Sequence, residues 1–384
     1  MGKIIVLQHS NQLGLGGTEK TMQIFCKYLD RSVFEVHALT QRFPVPLQRV
    51  ARLAVRNLIT GGAGSSFQPH RFCHSRLPEF EKILGPERIH MYTKFTLGRS
   101  IRKIAPHILH VHHSGSPEPP VSSPGSAQSV PVIVSTNVFG YEDPTPEGRR
   151  ISRILFISQW LKDNVAVWSK NDPRCSALYY PIEKPFSTDN LRNELGIAPD
   201  TFVLGRIGRN ADDIHDPIAL RAYKEIENEK TLYLIISPPP KMVQDARELG
   251  LKHVKYLDPT VDDVYLSRFY NTLDVFAHAR LDGETFGCAI AEDMIHGAPV
   301  VTHRSHIRNA QSEILDAESG FVAERDDWRA YAGFLKQLMQ DKNLRLKMGA
   351  SAKKRAMENF EAGLITRKLE KIYFEELKKT GISV

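Results

Sequence analysis

Residues 3 to 17 read Lys3-Ile4-Ile5-Val6-Leu7-Gln8-His9-Ser10-Asn11-Gln12-Leu13-Gly14-Leu15-Gly16-Gly17. Lys3 to His9 is a strand-sized apolar run of the kind buried on both faces of a parallel sheet. The glycines that follow make a turn. Met22, Phe25, Cys26 and Leu29 then recur at i, i+3, i+4 and i+7, which is one face of a helix. A strand, a glycine turn and a helix in that order start a doubly wound α/β domain. The same alternation continues through strands expected at Phe34 to Leu39, His107 to His112, Val130 to Ser135 and Arg153 to Ser158. Residues 41 to 100 are basic and irregular, with a surface loop at Gly61 to Ser66, and the Pro/Ser/Gly-rich Gly115 to Ser129 is a second loop.

The periodicity breaks at Tyr179-Tyr180-Pro181-Ile182-Glu183-Lys184-Pro185 and then starts afresh. Strands are expected at Phe202 to Ile207, Thr231 to Ser237, Val254 to Leu257, Val275 to Ala279 and Pro299 to Thr302. Helices are expected over residues 217–229, 240–249, 328–340 and 358–379. Two successive α/β units of similar size predict two doubly wound, Rossmann-like domains facing each other across a cleft. The expected bounds are 1–180 and 181–361, followed by a terminal segment, 362–384.

The length of 384 residues suits about two domains at roughly 100 to 200 residues each. At 41% hydrophobic and 25% charged, the composition excludes a disordered chain and a disulfide scaffold. The chain holds no run of about 18 apolar residues, and the start, Met1-Gly2-Lys3, leads into too short an apolar stretch for a secretory signal. The expectation is a cytoplasmic protein with reduced thiols at Cys26, Cys73, Cys175 and Cys288, which form no C-x-x-C pair. The net charge of +7 is unevenly spread. Residues 1 to 180 hold 22 Lys+Arg and 12 Asp+Glu, a net of +10, leaving 29 and 32, a net of -3, for the rest. A basic half suits an anionic partner such as an acidic glycan or a membrane surface. Aromatics interleaved with arginine, the mark of a nucleic-acid binder, are absent.

The chemistry concentrates at Glu284-Thr285-Phe286-Gly287-Cys288-Ala289-Ile290-Ala291-Glu292. A helix that begins near Phe286 or Gly287 offers free N–H groups and a dipole to a phosphate or diphosphate. Glu284 just outside that end can accept from sugar hydroxyls, and Glu292 further along suits the vicinal diol of a ribose. The opposing interpretation makes Glu284 a favourable charge at a helix start and Glu292 a surface residue. His110 and His112 share one side of a strand, yet no nearby carboxylate or cysteine completes a metal ligand set. Gly14-x-Gly16 lacks the third glycine and the strand-end acid of a dinucleotide fingerprint.

Glu284 to Glu292, with His296-Gly297-Ala298-Pro299-Val300-Val301 after it, resembles the glutamate, seven residues, glutamate signature of glycosyltransferase family 4. The resemblance extends to Tyr270 to Phe276, to Gly16-Gly17-Thr18-Glu19, and to Glu313 and Gly320, and it is weak from about residue 41 to 105. It implies the GT-B fold and retaining transfer of a sugar from a nucleotide diphosphate sugar, with no cofactor and no bound metal. By that resemblance Glu292 binds the ribose, Glu284 the donor sugar, and the backbone at Phe286, Gly287 and Cys288 the sugar and phosphates. Arg209 neutralises the diphosphate, Gly16 and Gly17 approach the donor phosphate or acceptor, and His112 faces the donor sugar.

Two positions depart from the pattern. A lysine usual about five residues after the arginine is Ile214 here, leaving His215, Arg206 or another group to supply the second cation. A second histidine, near Val132 to Thr136, appears as Asn137, whose amide can bond an acceptor hydroxyl but cannot act as a base. The acceptor, a glycan, a lipid-linked or small molecule of anionic character, is expected on the basic first half, which also suits peripheral contact with a membrane surface. The final helix is expected to cross back to that half. A nucleotide-sugar epimerase and a catalytically silent sugar- or nucleotide-binding scaffold are the alternatives.

Overall fold

A computed structural model describes residues 2–42 and 74–382. The expected loop at Gly61 to Ser66 and the thiol of Cys73 lie outside the described residues. The fold is α/β, with two Rossmann-like units built on parallel sheets. One unit holds residues 1–155 together with 370–384, and the other holds Phe156–Leu369. The proline-marked break at residues 181–185 therefore sits inside the second unit. There Ile182 donates its N–H to the Phe360 carbonyl (2.7 Å) and accepts from Ala362 N (2.9 Å), which ties the segment to the start of the last helix. That helix, Ala362–Lys379, gives its residues from Glu370 onward to the first unit.

In the first unit the strands β1 (Ile4–His9), β2 (Phe34–Gln41), β3 (Ile89–Tyr92), β4 (Ile108–His113), β5 (Val132–Asn137) and β6 (Arg153–Phe156) run in the order β3-β2-β1-β4-β5-β6. β1 is central because its apolar run can be covered on both faces. Ile4 pairs with Phe34 on one side and Val6 with Ile108 on the other, all parallel. Helix Gly17–Tyr28 buries Met22, Phe25 and Cys26. Met22 and Phe25, as large apolar side chains, each contribute about 1.5 to 3 kcal/mol over their exposed state.

The stretch expected to be irregular contains helix Leu77–Leu84, β3 and helix Leu97–Ile104. Its periodicity is faint because β3 is an edge strand burying only Tyr92, and each helix buries two residues along its length. An element that covers only part of a face needs few apolar residues and leaves a weak pattern.

After the short strand β7 (Cys175–Ala177), the second unit contributes β8 (Phe202–Ile207), β9 (Thr231–Ile236), β10 (Val254–Leu257), β11 (Val275–Ala277), β13 (Val300–His303) and β15 (Gly320–Ala323), ordered β10-β9-β8-β11-β13-β15. A separate ladder pairs β12 (Gly283–Glu284) with β14 (Arg308–Asn309). Tyr223, Tyr233, Met242, Val301, Tyr331, Leu335 and Leu338 lie in one core cluster. Strand β15 and helix Lys342–Asn359 escaped the sequence expectations, and the helix expected over 217–229 is confined to Ile218–Lys224. Helix Lys342–Asn359 carries its apolar residues sparsely, with Met348, Gly349, Ala352 and Ala356 buried, so small residues mark its packed face.

The strand order reverses between β8 and β11. From β8 the chain winds outward through β9 and β10, and from β11 it winds the other way through β13 and β15. In open doubly wound sheets the loops leaving the carboxyl ends at that reversal part from each other and leave room for a ligand.

Candidate active site

The loops after β8 and β11 carry most of the second unit's candidate residues. Past β11, His278 is fixed by Thr302 Oγ1 at Nδ1 (2.8 Å) and reaches Glu284 Oε1 through Nε2 (3.2 Å). Arg280 Nη1 lies 3.6 Å from the same carboxylate oxygen. The Glu284 N–H donates to Gln311 Oε1 (3.1 Å), so backbone and side chain are both held. Burial raises the pKa of Glu284, but Arg280, His278 and Arg209 outweigh it and leave the carboxyl below its usual value. Glu284 is therefore an anion fixed beside cations. Asp282 completes the frame by accepting from Arg280 Nε (2.6 Å) and Arg308 Nη1 (2.9 Å).

Gly283 has φ +68°, and a Cβ there would collide with the Arg308 carbonyl, so the β12–β14 ladder needs glycine at this point. Gly287, at φ +106°, caps the start of helix Cys288–His296. The helix thus begins one or two residues later than expected. Its first-turn N–H groups have no intrahelical acceptor and its dipole favours an anion. Beneath it Phe286 is buried against Tyr179, Tyr180 and Phe360, and Ser158 Oγ donates to the Thr285 carbonyl (2.7 Å). Glu292, on the helix, accepts from the buried Tyr270 hydroxyl (2.8 Å).

On the β8 side Arg209 is exposed, whereas Arg206 is 4% exposed. Ile214 is buried at 4% exposure and presents no polar group. His215 is also buried, and its Nε2 contacts Asp245 Oδ2 at 2.8 Å. Burial lowers its pKa more than Asp245 raises it, so at neutral pH the ring is an uncharged partner of Asp245. Asp212 and Asp213 belong to a short 3-10 turn, where Asp212 Oδ1 accepts from Lys241 N (2.8 Å).

In the first unit Gly16 precedes helix Gly17–Tyr28, and a Cβ on Gly16 would strike the Glu19 carboxylate. His112 is buried, and its Nε2 donates to Gln8 Oε1 (2.7 Å), leaving Nδ1 as an acceptor with no partner among the described residues. The network continues from Gln8 Nε2 to the Tyr373 hydroxyl (3.0 Å), from that hydroxyl to His110 Nδ1 (2.6 Å), and from His110 Nε2 to Thr136 Oγ1 (2.8 Å). Burial holds the His112 pKa well below the usual imidazole value, with His110 and His113 adding to the effect. The Asn137 amide closes its own turn, donating to the Tyr141 carbonyl (2.8 Å) and accepting from Gly140 N (2.7 Å). This engagement makes Asn137 a pin for the loop after β5.

Sequence inspection missed His278, Arg280 and the buried carboxyl of Asp293. Arg206 carried a signal, a guanidinium inside the apolar strand Phe202 to Ile207. The Arg280 contacts with Asp282 and Glu284 carried none, because short spacings of opposite charge are common on surfaces.

Residues 187–355, all within the second unit, match the family model described as glycosyl transferases group 1. The chain is 28% identical over 200 residues to the capsular polysaccharide biosynthesis glycosyltransferase CapM of Staphylococcus aureus, covering 47% of this chain and 48% of that protein. It spans about half the length of the curated relatives it matches. A glycosyltransferase of Rickettsia africae superposes with a TM-score of 0.70 at 16% identity, covering 98% of this chain and all of the other. HepE of Anabaena, in complex with UDP and glucose, superposes with a TM-score of 0.65 at 16% identity, covering 97% and 100%. The fold is that of GT-B glycosyltransferases, and the sequence match to their group 1 falls on the unit that holds Arg206, Arg209, Arg280 and Glu284.

Proposed function

We propose that this chain is a retaining, metal-independent hexosyltransferase of glycosyltransferase family 4. It moves a sugar from a nucleotide diphosphate sugar to a glycan, lipid-linked or small-molecule hydroxyl. The observation that carries this proposal is the fixed Glu284 anion among arginines beside the start of helix Cys288–His296, at the reversal of strand order. The match of residues 187–355 to the group 1 model and the UDP and glucose named with HepE support it.

In this scheme the diphosphate lies against Arg209 and the backbone amides at Phe286, Gly287 and Cys288, Glu292 takes the ribose diol, and Glu284 takes a hydroxyl of the sugar. The anomeric C–O bond breaks with its electron pair going to the diphosphate oxygen. The acceptor oxygen bonds to the same face of the sugar, and its proton passes to that departing oxygen. Guanidinium and amide dipoles stabilise the developing charge without reorganising. His112 offers the lone pair of Nδ1 to a sugar hydroxyl, and Gly16 and Gly17 allow close approach of backbone to ligand. An anionic acceptor and peripheral contact with a membrane surface suit the basic first half. No described helix is long and apolar enough to cross a membrane.

Thermal stabilisation by UDP, GDP and ADP without metal tests the donor site, because a ligand raises stability with its affinity for the folded state. One diphosphate should stabilise the wild type and lose that effect in Glu292→Ala. No stabilisation by any of them would overturn the donor assignment. Binding without product from the matching nucleotide sugars and hydroxyl acceptors would favour the silent scaffold.

A further inference from the structure

Arg206, the residue before the last of β8, carries a donor that the described residues leave unused. Its side chain is 4% exposed, and Nη1 is buried with no hydrogen-bond partner among the described residues. A buried donor on a charged group is costly when left unmade. The guanidinium lies against the loop that follows the strand. A Cβ built on Gly208 would lie 3.2 Å from Nη2 and 3.6 Å from Nη1, so the absence of a side chain at Gly208 makes room for it. Glu284 and Arg280 from the other side of the strand reversal act on its charge. Burial lowers its pKa, but a guanidinium stays protonated at neutral pH. Glu284 is already held by His278 and faces Arg280, and Asp282 is taken by Arg280 and Arg308, so neither carboxylate bonds Nη1 of Arg206.

We propose that Arg206 is a direct ligand of the donor's diphosphate, its unpartnered Nη1 meeting a phosphate oxygen between the β8 loop and helix Cys288–His296. This rests on the donor site proposed above and adds a specific cation to it. Arg209 is exposed and can follow the diphosphate in and out. Arg206 is fixed in place and meets it in a less polar setting, where a charge-assisted bond is stronger. Ile214 and the Asp245-bound His215 offer no competing cation.

The test compares wild type, Arg206→Met and Arg206→Lys by calorimetric binding and thermal shift, with inorganic pyrophosphate, UDP, GDP and ADP as probes. Arg206→Met should weaken pyrophosphate and the preferred nucleoside diphosphate by roughly ten- to a hundredfold, as expected for loss of a charge-assisted bond. It should weaken the corresponding nucleoside far less. Without ligand it should melt at or above the wild-type temperature, because an uncompensated buried charge has been removed. Arg206→Lys keeps the charge but loses the fork and should fall between the two, which serves if Arg206→Met does not fold. Unchanged diphosphate binding in Arg206→Met overturns the proposal and leaves the donor site standing. A drop in ligand-free melting temperature with unchanged affinity makes Arg206 structural and also overturns it. Wild type that binds pyrophosphate through Arg206, but no nucleoside diphosphate better, keeps the anion site and sinks the nucleotide assignment. Wild type that binds neither overturns both.

Discussion

The strand ends of the two units treat buried polar groups in opposite ways. In the first unit β4 ends in imidazoles bonded to side chains of neighbouring elements, His110 to Thr136 and Tyr373, His112 to Gln8, His113 to Ser135. In the second unit Arg206 near the end of β8, Arg209 in the loop after it, and Arg280 and Glu284 beyond β11 bring guanidinium groups beside a carboxylate. Burial without a counter-ion neutralises a histidine, because losing a proton costs it little. An arginine cannot take that route, so it keeps its charge and needs an anion. One set of strand ends presents uncharged hydrogen-bonding groups and the other presents fixed charge.

The largest effect should come from the charged end. Glu284→Ala removes the fixed anion that orders His278 and Arg280, and should lower transfer from the matching nucleotide sugar by at least about a hundredfold in kcat/KM. Near-normal turnover would show that Glu284 is only a scaffold for its neighbours. The neutral end makes an acid-stability prediction. The pKa values of His9 and His110 are pushed down from 6.5 to about 3, chiefly by burial, with His113 acting on both and His112 on His9. Above pH 6.5 folded and unfolded forms are alike in proton content at these sites. As pH falls from 6.5 toward 3, the unfolded chain takes up protons that the folded one refuses, and stability is lost. Each ring should add about 1.4 kcal/mol per pH unit to that slope. A urea series from pH 7 to pH 4 should show His110→Gln with a shallower decline than wild type, and an equal slope would mean the ring is protonated in the fold.

A smaller effect tests whether the second unit can also hide a charge by neutralising it. Asp293, on the helix beside Glu292, is fully buried, and neither carboxylate oxygen has a hydrogen-bond partner among the described residues. Burial raises its pKa well above 3.8. Its contribution to stability is therefore intact below 3.8 and is lost as pH rises toward the folded value, by up to about 1.4 kcal/mol per unit. Asp293→Asn should melt above wild type at pH 8, with the gap closing by pH 4. A gap independent of pH would show that Asp293 ionises in the fold as it does in water.

Much of the candidate site was legible in residues 284–292, because a helix start, a positive-φ glycine and two carboxylates are local features that spacing preserves. The α/β alternation was legible for the same reason, since strands β1, β8 and β9 are buried on both faces and carry unbroken apolar runs. Strand β3 and helix Lys342–Asn359 were not, because their packing uses few or small residues. The tertiary structure alone decided which charges meet. His278, Arg280 and Glu284 converge because β12 pairs with β14 and Gln311 holds the Glu284 backbone. Arg206 faces the loop at Gly208 because of strand pleat and burial. His215 bonds Asp245, thirty residues away. Local propensity fixes an element's type and face, but the protonation and partner of a buried group depend on what distant segments bring beside it, and no spacing along the chain encodes that.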